Sequence, residues 1–373
     1  MLHIKNGKVF SGTEFVRKDI YVDDTHFSRK GEVREVFDAE GKYIIPGFWD
    51  IHTHGAVCVD VNDADREGFE KISAFLSQHG VTRWLCSILT DDEERTTEAI
   101  KRAVDAIENP LKGARLMGIH LEGPFLSPKF AGAMPKNLLI NGDVELMKRY
   151  VKASNDNIRM MTLAPEVPGN NQVVKAFHKS IAFAMGHSDA TYEEGLACID
   201  AGAVSITHTG NAMRLFHQHQ PALLGVAMAE DVYCEMIADG LHLHPDTVKM
   251  YMKVKGSQRV LAISDSISAT GMPDGEYMLG INPVVVKNGD VLLRDAPVRA
   301  GSTLTLDRAF RNIMRFSGEK MVTCVPPMGQ NQAKMLGFGD EYGDIKCGFV
   351  ADFNVVDKDG NIEATFIEGK RVL

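Results

Sequence analysis

Basic blocks are missing from this chain of 373 residues, which carries a formal charge of −9. Nucleic-acid phosphates and anionic lipid headgroups are drawn to excess Lys and Arg, so neither nucleic acid nor membrane is an expected partner. A small polar substrate is. No apolar run approaches the roughly 20 residues that cross a bilayer. The start MLHIKNGKVF also lacks a basic segment, an apolar stretch and a small-residue cleavage site. The expectation is a cytoplasmic protein. Cysteine is sparse and scattered (Cys58, Cys86, Cys198, Cys234, Cys324, Cys347), with no CxxC pair and no dense framework of the secreted kind. These read as reduced, mostly buried thiols. Internal repeats and low-complexity tracts are absent too.

The 44% of hydrophobic residues is ordinary for a globular protein and ample for a core. Residues 1–43 alternate short β-rich pieces with turns: Leu2 to Phe10 broken at Asn6-Gly7, then Asp19 to Val22 and Val33 to Phe37. The last forty residues repeat the style, with Asp352 to Val356, Ile362 to Phe366 and Lys370 to Leu373 separated by Asp359-Gly360 and Glu368-Gly369. Neither end can bury a face alone. The two (1–43 and 336–373) are therefore expected to pair into one small β-sandwich domain.

Residues 44–335 change to apolar strand, loop and amphipathic helix, repeated. Candidate strands are Ile44 to Ile51, Arg83 to Leu89, Arg115 to Leu121, Ile158 to Leu163, Ile181 to Met185, Val204 to Thr207, Val232 to Ile237 and Val260 to Ile263. Helical stretches such as Arg66 to His79, Glu94 to Ile107, Asp143 to Lys152 and Asp246 to Lys255 fall between them. Such alternation gives an α/β fold with a parallel sheet, and eight units favour a closed (β/α)8 TIM-type barrel over a doubly wound open sheet.

Several of these strands end in metal-binding residue types. His52 and His54 are two apart, so the strand period of two turns both imidazoles to one side. A lone HxH is weak evidence, but this one follows Pro46-Gly47 and precedes Gly55 at the C-terminal end of the first barrel strand. Glu122 ends Gly118-Ile119-His120-Leu121, where a buried carboxylate is costly without a cation. A salt bridge to an inward Lys or Arg is the plain alternative. His120 lies one layer deeper and reads as a supporting residue. His187 and His208 close two successive strands; each alone could be a satisfied core histidine, but the pair is harder to dismiss. Asp265, after Leu261-Ala262-Ile263-Ser264, repeats the geometry at strand eight. Imidazoles with a few carboxylates and no thiolate suit a divalent metal such as zinc, iron(II), manganese or cobalt.

The phrases HTHG after PGFWD, HLEGPF at 120–125, GHSDA at 186–190, THTGNAM at 207–213, DGLHLHP at 239–245 and SDSISATGMPDGEY at 264–277 carry a resemblance. The chain resembles N-acetylglucosamine-6-phosphate deacetylases of the amidohydrolase superfamily over nearly its whole length. The resemblance implies that Glu122, His187 and His208 hold a metal, that His52 and His54 add a second, and that Asp265 is the catalytic aspartate. It also implies substrate contacts from Asn211, Ala212, the segment Asp239 to His242, Ala300 and Gly301, and a homodimer. The implied reaction cleaves an N-acetyl amide of an amino sugar phosphate, giving acetate and the free amine, with Asp265 as general base and then acid.

Departures fall on the substrate side. After Ala133 the family's histidine is Met134, which cannot donate a hydrogen bond. The usual phosphate-gripping arginine is His219, a weaker grip. Arg299 stands where an apolar residue is usual, and Arg214 follows Met213; they relocate the anion site, or are surface or dimer contacts. Asn331-Gln332-Ala333 and Thr209-Gly210 also differ from the family pattern. A cyclic amide hydrolase of the superfamily would need a lysine at the end of strand four, where Leu163-Ala164-Pro165-Glu166 stands. The galactosamine epimer, an N-acyl amino acid aminoacylase and a catalytically inactive sugar-binding protein stay open as alternatives.

Overall fold

The computed structural model describes residues 1–373. Eight parallel strands, Phe48–Thr53, Val81–Leu89, Arg115–Glu122, Ile158–Leu163, Ala182–Met185, Ser205–Ile206, Tyr233–Met236 and Val260–Ala262, pair in sequence order. The short last strand meets the first through backbone bonds just beyond its end. Asp265 N donates to His52 O (2.9 Å) and His54 N to Ser266 O (2.7 Å). That closure turns the sheet into a barrel and brings the two ends of the eight-strand series side by side.

The helices form where the sequence supplies caps and an apolar stripe. Asp65 accepts from Gly68 N to start Arg66–Gln78, whose Phe69, Ile72 and Leu76 are buried. Asp92 starts Glu93–Glu108 in the same way, and Thr191 with Glu194 makes a capping box for Tyr192–Ala201. Each helix lies outside the barrel, so the C-terminal strand ends and the loops after them are free to build a site.

Chain ends make two sheets. One orders His26–Ser28, Ile20–Asp23, Leu2–Lys5 and Glu35–Asp38; the other orders Lys370–Arg371, Ile362–Ile367, Phe353–Val356, Tyr43–Pro46, Lys8–Phe10 and Phe15–Arg17. They enclose an apolar core of their own that includes Ile4, Val22, Ile44 and Phe353, with Phe353 and Phe366 stacked at 4.4 Å.

Two sequence expectations change here. Ile44 to Ile51 reads as one barrel strand, but the chain breaks at Gly47: Tyr43–Pro46 pairs with both chain ends, and only Phe48–Thr53 enters the barrel. A Cβ at position 47 would come within 2.3 Å of the Thr82 hydroxyl, so glycine permits that close passage. The second is an unforeseen three-stranded sheet, Gly275–Leu279, Asn282–Lys287 and Asp290–Leu293, inserted after the last barrel strand. Its signal was present in Asn288-Gly289, where both residues have positive φ (52° and 78°) as a tight hairpin turn requires.

Candidate metal centre

Six side chains from five strand ends converge at the barrel mouth. His52 and His54 project inward from the first strand and Glu122 ends the third. His187, His208 and Asp265 follow strands five, six and eight, and all three adopt positive φ (48°, 27° and 51°). Non-glycine residues rarely hold that conformation, and such strain concentrates where a side chain must be aimed at a site. All six are nearly inaccessible to solvent.

Their donor atoms form two groups, His52 with His54 and Asp265, and Glu122 with His187 and His208. Glu122 joins the groups. Its Oε1 lies 3.1 Å from His187 Nε2 and 3.2 Å from His208 Nε2, while its Oε2 lies 3.2 Å from His54 Nε2. Nitrogens also face nitrogens: His187 and His208 Nε2 are 3.0 Å apart, and His52 and His54 Nε2 are 3.3 Å apart. Asp265 Oδ1 is 3.2 Å from His54 Nε2.

The outer ring nitrogens decide what the inner ones offer. His54 Nδ1 faces Ser87 O at 2.9 Å and His187 Nδ1 faces Phe130 O at 2.9 Å; a carbonyl only accepts, so the proton sits on Nδ1. His52 Nδ1 meets the Glu235 carboxylate at 3.0 Å in the same sense. In its neutral form each of these rings therefore presents an Nε2 lone pair inward, the arrangement in which a histidine serves a metal while its other nitrogen is held from behind. His208 Nδ1 is buried without a partner. Burial opposes charge on His54, yet hydrogen bonds to Asp265 and Glu122 outweigh it and raise its pKa to about 9. Burial likewise opposes charge on His52, and the Glu122 and Glu235 carboxylates raise it well above its usual range. The site's field favours positive charge at its centre, and the donor set fits a divalent cation. His120 stays outside both groups, its nitrogens facing Ser87 Oγ (2.8 Å) and Thr162 Oγ1 (2.9 Å) one layer down.

A cavity of about 210 Å³ opens onto this cluster. Of the sequence-predicted substrate residues, Ala133, Met134, Asn211, Ala212, His242, Arg299, Ala300 and Gly301 line it. His219 does not. It sits on an exposed loop beside His217, outside the cavity of the single chain. Asp239 acts at one remove, its carboxylate 2.7 Å from His242 Nδ1 and accepting from the Leu241 and His242 amides. Arg299 faces the cavity while its Nε and Nη2 grip Asp290 (2.8 and 3.1 Å). Arg214 is held by Asp189 at 2.8 Å and is not among the lining residues, so the idea that both arginines form the anion site narrows to Arg299.

Sequence reasoning overlooked Glu235, Leu89, Leu279 and Val298. Glu235 is buried in the apolar strand Tyr233–Met236, where it receives His52 Nδ1 and the His208 amide (3.0 Å each). It carried the same signal as Glu122, a carboxylate in a buried strand. Leu279 reaches the cavity on the inserted sheet and makes its wall apolar together with Leu89 and Val298.

A parallel barrel whose strand ends converge four imidazoles and two carboxylates defines a metal-dependent hydrolase. The chain belongs to the amidohydrolase family, whose model matches residues 43–372. It is similar to the N-acetylglucosamine-6-phosphate deacetylase of Bacillus subtilis (strain 168), at 35% identity over 90% of this chain and 86% of the relative. An N-acetylgalactosamine-6-phosphate deacetylase of Escherichia coli O157:H7 is 29% identical over 90% of this chain and 89% of its own length. Among solved structures, a mutant of the Mycobacterium smegmatis N-acetyl-D-glucosamine-6-phosphate deacetylase, in complex with N-acetyl-D-glucosamine-6-phosphate, superposes with a TM-score of 0.93. That match has 27% identity and covers 100% of this chain and 99% of the other.

Proposed function

We propose that this enzyme hydrolyses the N-acetyl amide of an amino sugar phosphate, N-acetylglucosamine 6-phosphate foremost, to glucosamine 6-phosphate and acetate. The observation that carries the reading is the pair of convergent donor groups, with Glu122 of one also touching His52 and His54 of the other, beneath a cavity that also holds an acid, Asp265. The relatives' shared activity supplies the substrate class.

Glu122, His187 and His208 would hold one divalent cation, and His52, His54 and Asp265 a second. When bound, the metal acidifies a water and polarises the amide carbonyl. The chain's own groups do the rest. Asp265 is buried, which disfavours its charge, but the hydrogen bond from His54 and the charge of His52 hold its carboxyl below the usual range. It is therefore ionised at neutral pH, and its carboxylate takes a proton from the attacking water and returns it to the departing sugar nitrogen. His242, fixed by Asp239, orients the sugar, and Arg299 offers its free edge to the phosphate. Leu89, Met134, Leu279 and Val298 exclude bulk water from one wall.

Zinc is the metal proposed, on the imidazole-rich donor set. A cytoplasmic homodimer is the proposed state, in line with the family resemblance; no helix is long and apolar enough to cross a membrane. The galactosamine epimer is a second reading favoured by the Escherichia coli relative. Turnover on N-acetylglucosamine 6-phosphate, its galactosamine epimer, the unphosphorylated sugars and N-acetyl amino acids, with metal content and solution mass measured on the same sample, tests these points. Exclusive turnover of the amino acids would establish an aminoacylase instead, and binding without any acetate release would establish an inactive sugar-binding protein.

A further inference from the structure

Next to the substrate cavity lies a second cleft of about 530 Å³ with a different chemistry. One wall is a face of helix Leu306–Ser317, where Arg308, Arg311 and Arg315 stand three and four residues apart. Like charges at that spacing repel one another. Little within the chain relieves them. Arg308 pairs with no carboxylate, and Arg311 shares Asp307 with His79. Arg315 bonds the neutral Asn312 Oδ1 and lies 4.8 Å over the Phe316 ring. Asp239 is the cleft's own carboxylate, and it is buried against His242. Three guanidiniums gathered in a chain of net charge −9 leave this place short of negative charge. Guanidinium forks match the oxygens of a phosphate better than any other common anion-binding group.

The remaining walls lead directly into the substrate cavity. Asp239 positions His242, and Asn288-Gly289 immediately precede Asp290, which holds Arg299 by two hydrogen bonds. We propose that this cleft binds a phosphate monoester dianion and that its occupancy weakens substrate binding through the Asp239–His242 and Asp290–Arg299 pairs. A dianion there adds negative potential beside His242 and Arg299, which meet the sugar and its phosphate, so KM rises while kcat, set at the metal cluster, holds. The effect on KM and the choice of natural ligand, a phosphorylated substrate or product of this same enzyme, rest on the proposed activity; the presence of the anion site does not.

The test uses inorganic phosphate and the metal-loaded enzyme. Equilibrium dialysis should count one more phosphate per wild-type chain than per Arg308→Gln/Arg315→Gln chain, with basal kcat and Tm showing that the variant is folded. In wild type KM should climb about fivefold, the low end of ordinary coupling between sites, and then level off. The variant should lose that plateau. Equal counts in the two proteins overturn the proposal. So does a wild-type KM that climbs linearly without levelling, which marks simple competition in the substrate cavity and needs no variant to read. The phosphate count stands whichever sugar the enzyme turns over, so failure of the activity assignment and failure of the cleft are told apart.

Discussion

Two clusters of charged side chains in the molecule are built on opposite plans. Where the barrel meets the terminal sheets, Arg83 from the second strand grips Asp352 through Nε and Nη2 (2.6 and 3.2 Å) and reaches Glu368 (3.2 Å), which Arg115 also holds at 2.8 Å. Every charge there has its counterpart within the chain. At the barrel mouth, imidazole nitrogens face one another at 3.0 and 3.3 Å, and the one carboxylate of Glu122 touches both groups. A buried ion pair that is complete serves the fold; one whose positive member is missing from the chain marks a place for an ion from outside.

That contrast can be broken from either side. The largest effect is expected at the mouth. Glu122→Ala removes the carboxylate common to both groups, so bound metal and turnover should fall together, kcat/KM by about three to four decades for several kcal/mol of lost transition-state stabilisation. Metal analysis beside a single activity assay checks it; a fully metal-loaded, active variant would sink the shared-carboxylate assignment. Asp265→Asn should lower kcat by about 10²- to 10⁴-fold, the usual worth of a general acid–base group, while metal held by Glu122, His187 and His208 persists. Metal loss in proportion to activity would assign Asp265 to holding metal alone.

On the other side, Arg83→Met should reverse the pattern. Stability should drop by about 3 to 5 kcal/mol, because Asp352 is left buried without its cation, while kcat/KM stays within twofold. Urea unfolding of the metal-loaded protein measures it, and an activity loss larger than the stability loss would join the two regions after all. Glu235→Gln tests the backing of the mouth: it still accepts from His52 but loses its charge, so metal affinity should weaken by about 10- to 100-fold, read by competition with a chelator. The smallest effect is a pH dependence. Burial disfavours the Glu368 carboxylate, but Arg115 and Arg83 hold its pKa below the ordinary 4.5. A depressed carboxylate stabilises the fold fully above pH 4.5 and loses that contribution as pH falls through its lower native value. Glu368→Gln should be less stable than wild type at pH 7 and approach it on acidification.

The candidate metal ligands stand out because each closes an apolar strand where a polar residue has no local reason to be; that signal comes from a few adjacent residues. Glu235 carried a related signal, a carboxylate inside a buried strand, and Asn288-Gly289 carried a hairpin-turn signal, so both were present at short range. Arg214 and His219 differ in kind. Their sequence neighbours match substrate-contacting positions, but Asp189 captures the first and an exposed loop carries the second away from the cavity. Nothing local distinguishes an arginine held by a carboxylate 25 residues away from one free to meet a ligand.

The sequence by itself determined the alternation of strand and helix, the kinds of donor at the strand ends and hence the reaction class, because periodicity and burial are written at short range. Only the tertiary structure decided that Glu122 lies between two groups, that Nε2 is the inward atom of His54 and His187, and that Asp239 works through His242. Those facts depend on distances across the barrel, set by the packing of many strands at once, and no spacing along the chain contains them.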